Sequence, residues 1–129
     1  CMFYYSRQME IKDATAALAA LGQATRLSVF RLLVEAGPGG RMVGEIAEAL
    51  GLPGATLSFH LKELSAAALI EGEQQGRYIC YRANFKAMNE LIVFLTRNCC
   101  GGDATRCAPA GNVSVTKARK TSVKKGARP

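Results

Sequence analysis

Apolar residues recur at steps of three and four through most of the first hundred positions, a spacing that predicts helices. In residues 10–22, Ile11, Ala14, Leu18 and Leu21 share one face, and Gly22 supplies a stop. From Thr25 to Ala36, Leu27, Phe30, Leu33 and Val34 point inward, with Arg26, Arg31 and Glu35 outward. Gly37-Pro38-Gly39-Gly40 cannot continue that helix and predicts a loop. Val43 to Leu50 forms a short third helix buried through Ile46, Ala47 and Leu50, closed by Gly51 with Pro53 just beyond. A fourth helix over about Ala55 to Ala67 carries a stripe of Leu57, Leu61 and Leu64.

The period then changes. Leu69 to Glu73 and Arg77 to Arg82 read as two short strands around Gln74-Gln75-Gly76, a hairpin. Asn84 can cap a fifth helix with Met88, Leu91, Ile92 and Leu95 on one face, ending near Asn98. Residues 101–129 lack periodicity, and no internal repeat is visible. The expected fold is mainly α with a small β-hairpin, in the order helix-helix-helix-helix-strand-strand-helix.

At 129 residues, 49% hydrophobic and 21% charged, the chain fits one domain and excludes a wholly disordered polymer. The formal net charge of +7 is unevenly spread. Residues 117–129 hold six basic side chains and no acid, leaving 11 basic against 10 acidic groups elsewhere. A nearly neutral globule with a basic tail results, so charge alone does not establish a nucleic-acid partner. The expected divisions are an extension over residues 1–8, a domain over 9–98, a cysteine segment over 99–107 and a flexible basic tail over 108–129. No apolar run approaches the roughly 18–20 residues of a membrane span, and CMFYYSRQ lacks the pattern of a signal peptide. Five cysteines, three of them within residues 99–107, do not resemble a secreted disulfide framework; a reducing cytoplasm is expected.

The third and fourth helices, joined by Gly51-Leu52-Pro53-Gly54, have helix-turn-helix proportions. With Leu57, Leu61 and Leu64 inward, the fourth helix turns Ala55, Phe59, Lys62 and Glu63 outward and places Thr56 and Ser58 on the flanks. Short, non-acidic side chains near its start permit close approach to phosphates and base edges in a major groove. Gln75 and Arg77 stand at the hairpin tip, where Arg77 can reach a neighbouring phosphate. A solvated helical hairpin would show the same pattern.

The segments ATRLSVFRLLVE (24–35), GEIAEALGLPGATLSFHLKELSAAALI (44–70) and EGEQQGRYICYR (71–82) make the resemblance specific. With Ser58-Phe59-His60-Leu61-Lys62 and Gly76-Arg77, the chain resembles winged helix-turn-helix repressors of the ArsR/SmtB family over most of residues 12–97. The resemblance implies a homodimer in a bacterial cytoplasm, paired through its first and last helices. It also implies repression at palindromic double-stranded operators, released by a metal or metalloid, and no enzyme activity or catalytic cofactor. Ala55, Thr56, Ser58, Phe59, His60, Lys62, Gln75 and Arg77 become the expected DNA-binding residues. Phe59 stands where the family often has His; it cannot hydrogen-bond, but it can pack against a thymine methyl. His60 is equally readable as a structural histidine near the turn.

Two sensor sites known in the family are absent: the third helix has no cysteine, and the last offers only Glu90 for a zinc site. What remains is Cys99-Cys100 and, beyond Gly101-Gly102, Cys107. The six intervening residues reach about 20 Å when extended, so the three sulfurs can meet. Three soft thiolates without histidine suit trivalent arsenic, whose lone pair takes the fourth direction. The arrangement resembles arsenic-responsive repressors with three cysteines at the end of the last helix. It implies arsenite as inducer, with antimonite and methylated trivalent arsenicals as further candidates. Arg97 and Arg106 would favour the thiolates. A Cys100–Cys107 disulfide acting as a redox switch, or incidental exposed cysteines, also fit. A cysteine enzyme would lack a nucleophile–base pair. Cys80, alone on a strand, reads as a packing residue.

Overall fold

Most of the helices start beside a side chain that accepts a backbone amide. α1 (Ile11–Leu21) begins with Glu10 N donating to Asp13 Oδ2 at 3.3 Å. α2 (Ala24–Ala36) begins with Arg26 N donating to Gln23 Oε1 at 2.8 Å. Arg26 Nε donates back to Ala20 O at 2.8 Å, satisfying one of the end carbonyls of α1 that the helix itself leaves open. A 3-10 turn over Gly37–Gly39 leads into β1 (Arg41–Met42), and α3 (Val43–Leu50) follows at once, Met42 N donating to Glu45 Oε1 at 2.8 Å. Gly51 then ends α3 in the left-handed region, as the sequence predicts. α4 (Gly54–Ala66), β2 (Ile70–Gln75), β3 (Tyr78–Ala83) and α5 (Phe85–Thr96) complete the order. These elements come from a computed structural model that describes residues 8–103 and 105.

The architecture is the expected mostly helical one with a small antiparallel wing, and it adds a strand. The sheet order is β1-β3-β2, all antiparallel, with Arg41 opposite Tyr81 and Met42 opposite Cys80. Two residues after a glycine-rich loop carry no period, so nothing in the sequence marks β1. The hairpin turn is one position later than predicted. Gln75 pairs with Tyr78, and Gly76-Arg77 forms the two-residue loop, with φ 67° at Gly76. A positive φ at the first loop position alone is the type II′ pattern, which glycine meets without strain.

The core is built from Ala14, Ala17 and Ala20 of α1, Val29, Phe30 and Leu33 of α2, Ile46 of α3, Leu57, Leu61 and Leu64 of α4, and Leu69, Ile70, Ala83 and Leu91. The α4 stripe is as predicted. Three other faces are rotated. Ile11 and Leu18 are exposed while alanines fill the inner side of α1; Leu27 is exposed and Val29 buried on α2; Ile92 and Leu95 are exposed while Ala87 and Leu91 face in on α5. Cys80 is buried, its Sγ 3.4 Å from Gly39 O, in keeping with a packing role. Arg82 ties the wing to the loop, donating to Pro38 O at 3.1 Å and pairing with Glu73 at 2.9 Å, which holds its guanidinium further toward the charged form.

Asn84 fixes the corner before α5. Its Oδ1 accepts Ala87 N at 3.1 Å, capping the helix as predicted, and its Nδ2 donates to Ala68 O at 3.0 Å. The chain divides into two compact units, Cys1–Leu95 and Thr96–Pro129. In the second, α5 ends at Thr96, two residues short of the predicted end, and a 3-10 turn spans Cys99–Gly102. The predicted extension apart from Gln8, the basic tail, Arg106 and Cys107 lie outside the described residues. Among the described residues no single helix is long and apolar enough to cross a membrane.

Candidate nucleic-acid interface and cysteine cluster

α4 has two chemically distinct sides. Leu57, His60, Leu61 and Leu64 are buried, fixing the helix rotation against α1, α2, α3 and β2. Ala55, Thr56, Ser58, Phe59 and Lys62 are exposed. The helix begins after Pro53 with no side-chain cap, so its first amides keep their donor capacity for an anion such as a phosphate. Small side chains at Ala55, Thr56 and Ser58 keep the first turns narrow enough for a major groove. On the wing, Gln75 and Arg77 are exposed at the tip, and Gln74 Nε2 donates to Gly76 O at 2.9 Å, bracing the loop that presents Arg77.

His60 is the exception among the predicted DNA-contact residues. It is only 8% exposed, and no hydrogen-bond partner is found for its Nδ1 among the described residues. Its position three residues after Leu57 and one before Leu61 puts it on the core side, away from the exposed face that carries Thr56, Ser58 and Phe59. His60→Leu should therefore raise stability by about 1 kcal/mol, because an unpartnered buried nitrogen is removed. Operator affinity should fall by much less than the roughly fivefold or more that loss of a base contact brings. Urea unfolding and a DNA titration check the two halves separately; a large affinity loss in a stable variant would restore His60 to the interface. Phe59, by contrast, points outward as predicted, with 55% exposure. Tyr78, beside Arg77 and 61% exposed, is a further surface aromatic, and its place directly after the Gly76-Arg77 turn is the signal for it in the sequence.

In the second unit, Cys99 and Cys100 are exposed and their Sγ atoms lie 3.6 Å apart. Adjacent residues bring their sulfurs together here because the backbone turns sharply, with Asn98 at φ 59° and Cys100 at φ 56° in the left-handed region. With metal–sulfur bonds of about 2.3 Å, one soft ion can touch both. Past Gly102, Asp103 Oδ1 accepts from Thr105 Oγ1 at 2.6 Å and Thr105 N at 3.0 Å, which holds its carboxyl below the ordinary range. Among the described residues no group of three His, Cys, Asp or Glu side chains is placed to hold a metal ion, and the third predicted thiol, Cys107, is outside them.

Residues 21–73 match a helix-turn-helix domain family, from the end of α1 into β2. A transcriptional repressor of Mycobacterium tuberculosis, SmtB, is 39% identical over 74 residues, 57% of this chain. The chain spans about half the length of that curated relative, 53%. An ArsR-like transcriptional regulator from Rhodococcus sp. RHA1 is 27% identical with a TM-score of 0.61, the match covering 74% of this chain and 85% of that one. The homodimeric winged helix-turn-helix DNA-binding domain of Mb0332 from Mycobacterium bovis, described as a possible ArsR-family regulator, is 27% identical with a TM-score of 0.55, over 68% and 81% of the two chains. The relatives named here are described as a transcriptional repressor, a transcriptional regulator and a possible transcriptional regulator.

Proposed function

We propose, on the premise of an ArsR/SmtB-family winged helix-turn-helix regulator that likeness in both sequence and fold supports, that this chain is an arsenic-responsive transcriptional repressor. It binds operator DNA as a homodimer. The observation that carries the DNA half is the outer face of α4, where Ala55, Thr56, Ser58, Phe59 and Lys62 are exposed on a helix whose opposite side is locked in the core. Pairing is supported by large apolar side chains left exposed on the first and last helices, Ile11, Leu18, Ile92 and Leu95. Soluble monomers rarely keep such a surface uncovered. Two copies would set their α4 helices about 34 Å apart, in successive major grooves. Lys62 and Arg77 would contact phosphates and fix register, while the short side chains at the start of α4 approach the bases.

The inducer half rests on the Cys99–Cys100 sulfur pair at 3.6 Å. These thiolates, with Cys107, would hold a trivalent arsenic ion, which supplies three covalent, thiophilic bonding directions. Soft sulfur donors select it over hard cations. Ligation at these thiols lowers operator affinity by a factor in the usual allosteric range, about 5–150-fold.

The test is fluorescence anisotropy with an operator selected from a random duplex pool, at fixed salt because phosphate contacts make affinity salt-dependent. Arsenite under reducing conditions should release the wild type. Cys99→Ser, Cys100→Ser and Cys107→Ser should each bind DNA normally and lose most of that release. If all three variants still release, the thiol site is wrong. A response retained in Cys107→Ser alone would point to a two-thiol inducer such as a monoalkylated trivalent arsenical. Release by peroxide without arsenite, reversed by reductant, would replace the arsenic reading with a disulfide switch.

A further inference from the structure

The large apolar side chains most exposed among the described residues sort by chemistry. The aliphatic ones lie on α1, α2 and α5, and the two aromatic ones are Phe59 on α4 and Tyr78 at the wing tip. The aliphatic surface on α1 and α5 has an occupant under the dimer proposal. Phe59 is left open to its surroundings apart from the edge of the His60 ring. It is 55% exposed, on a helix turned the other way by four buried side chains.

Its neighbours make it the leading contact. Helical side chains lean toward the helix N-terminus, over positions three and four residues earlier. For Phe59 those positions are Thr56 and Ala55, both exposed and short. The phenyl ring therefore stands above the surface of the first two turns, where the helix is narrowest. Its ring meets the His60 ring edge-on, with centroids 5.4 Å apart and planes at 68°, which limits its swing. A tall, braced ring with no donor or acceptor cannot read the hydrogen-bonding pattern of a base pair. The apolar feature a base pair offers in the major groove is the C5-methyl group of thymine.

We infer that Phe59 is a methyl reader: each half-site contains a pyrimidine whose C5-methyl group packs on the Phe59 ring, and the contact discriminates by that methyl rather than by hydrogen bonding. Both thymine and 5-methylcytosine carry the group, so affinity at this position responds to cytosine methylation. The inference rests on the DNA-binding reading above and deepens it.

The test uses the full chain under reducing conditions and the selected duplex. Deoxyuridine, which is thymidine without the methyl, replaces dT at one symmetric pair of positions at a time. One pair should weaken binding by roughly fourfold per half-site, about 15-fold for both, from the loss of a buried methyl. Replacing that T·A pair by C·G, which likewise lacks the methyl, should weaken binding at least as much, and methylating the new cytosine at C5 should recover roughly fourfold per half-site. Phe59→Ala, a change at an exposed position, should keep the thermal stability of the wild type, bind the dT duplex about as weakly as the wild type binds the dU duplex, and no longer distinguish dT from dU. Equal binding of every dU duplex, or discrimination retained in Phe59→Ala, would overturn the methyl reader and leave the repressor standing. Failure to select any duplex would sink the repressor reading, and the methyl reader with it.

Discussion

Gly40→Ala should lower the unfolding free energy by about 3 kcal/mol or more. Two costs add at this one position. Gly40 sits at φ +72° and ψ −167°, an extended positive-φ conformation essentially confined to glycine that costs a side-chain-bearing residue about 1–3 kcal/mol. A Cβ there would lie 2.4 Å from Tyr81 O and 3.0 Å from Cys80 Sγ. Both neighbours belong to β3, the central strand, so neither can move without disturbing its pairing with β1 and β2, and overpacking of this kind costs about 1–3 kcal/mol. For a domain of this size the thermal midpoint should fall by roughly 12 °C or more. The same loop contains its own controls. Gly37 has φ +79° and ψ −168° but open space around its Cβ, so Gly37→Ala should cost only the backbone strain of about 1–3 kcal/mol. Gly39 has neither a positive φ nor a neighbour within 4 Å, so Gly39→Ala should cost little. Thermal unfolding of the three variants checks the ranking, and a Gly40→Ala protein as stable as Gly39→Ala would refute the close approach.

Ile46→Ala should be the most damaging single truncation for DNA binding that touches no DNA-facing residue. α3 has eight residues, and Ile46 is the one among them that is buried, with no exposed surface. Val43, Ala47 and Leu50 are only partly covered. Removing a buried isoleucine to alanine costs about 2–5 kcal/mol, a large share of the roughly 5–15 kcal/mol that stabilises a domain. The loss falls on the helix that supports α4 through the Gly51 turn. Operator affinity should therefore collapse at temperatures where the far-UV helical signal is still largely present. Ile46→Val, costing about 0.5–1.5 kcal/mol, should bind almost normally. Urea unfolding paired with a DNA titration separates these outcomes. Unchanged affinity in a destabilised Ile46→Ala protein would mean that α4 does not depend on α3 for its position.

The element boundaries were legible because caps, glycines and apolar spacing agree at Gly22, Gly51 and Asn84. The inward faces were less so. Sequence periodicity favoured the largest apolar residues, Ile11 and Leu18 on α1, Ile92 and Leu95 on α5. The fold buries Ala14 and Leu91 as expected, but adds Ala17, Ala20 and Ala87 in place of those larger residues. Alanine faces let helices pack closely within the subunit, and the bulkier faces are left for a different surface. Hydrophobicity alone does not say which of two apolar faces a helix keeps for its own core. On α4 there was no such conflict, because one face is leucine-rich and the other mainly polar, and the outward positions of Ala55, Phe59, Lys62 and Glu63 followed, with Thr56 and Ser58 on the flanks. His60 was the weak point there. A single polar residue at the edge of an apolar stripe can turn either way, and packing decides. β1 was invisible, since two residues carry no alternation. The sulfur pair was legible as adjacency, whereas its 3.6 Å separation depends on left-handed backbone at Asn98 and Cys100 that composition does not specify.

β1 ends at Met42 and α3 starts at Val43, with no intervening residue. On the other side, β3 ends at Ala83 and α5 starts at Phe85, with only Asn84 between them. Because β1 pairs with β3, the backbone runs from the last helix to the helix pair through one hydrogen-bonded joint and no slack. The sheet is thus a common anchor for α3 and α5, tying the start of each helix to neighbouring strands through at most one linking residue.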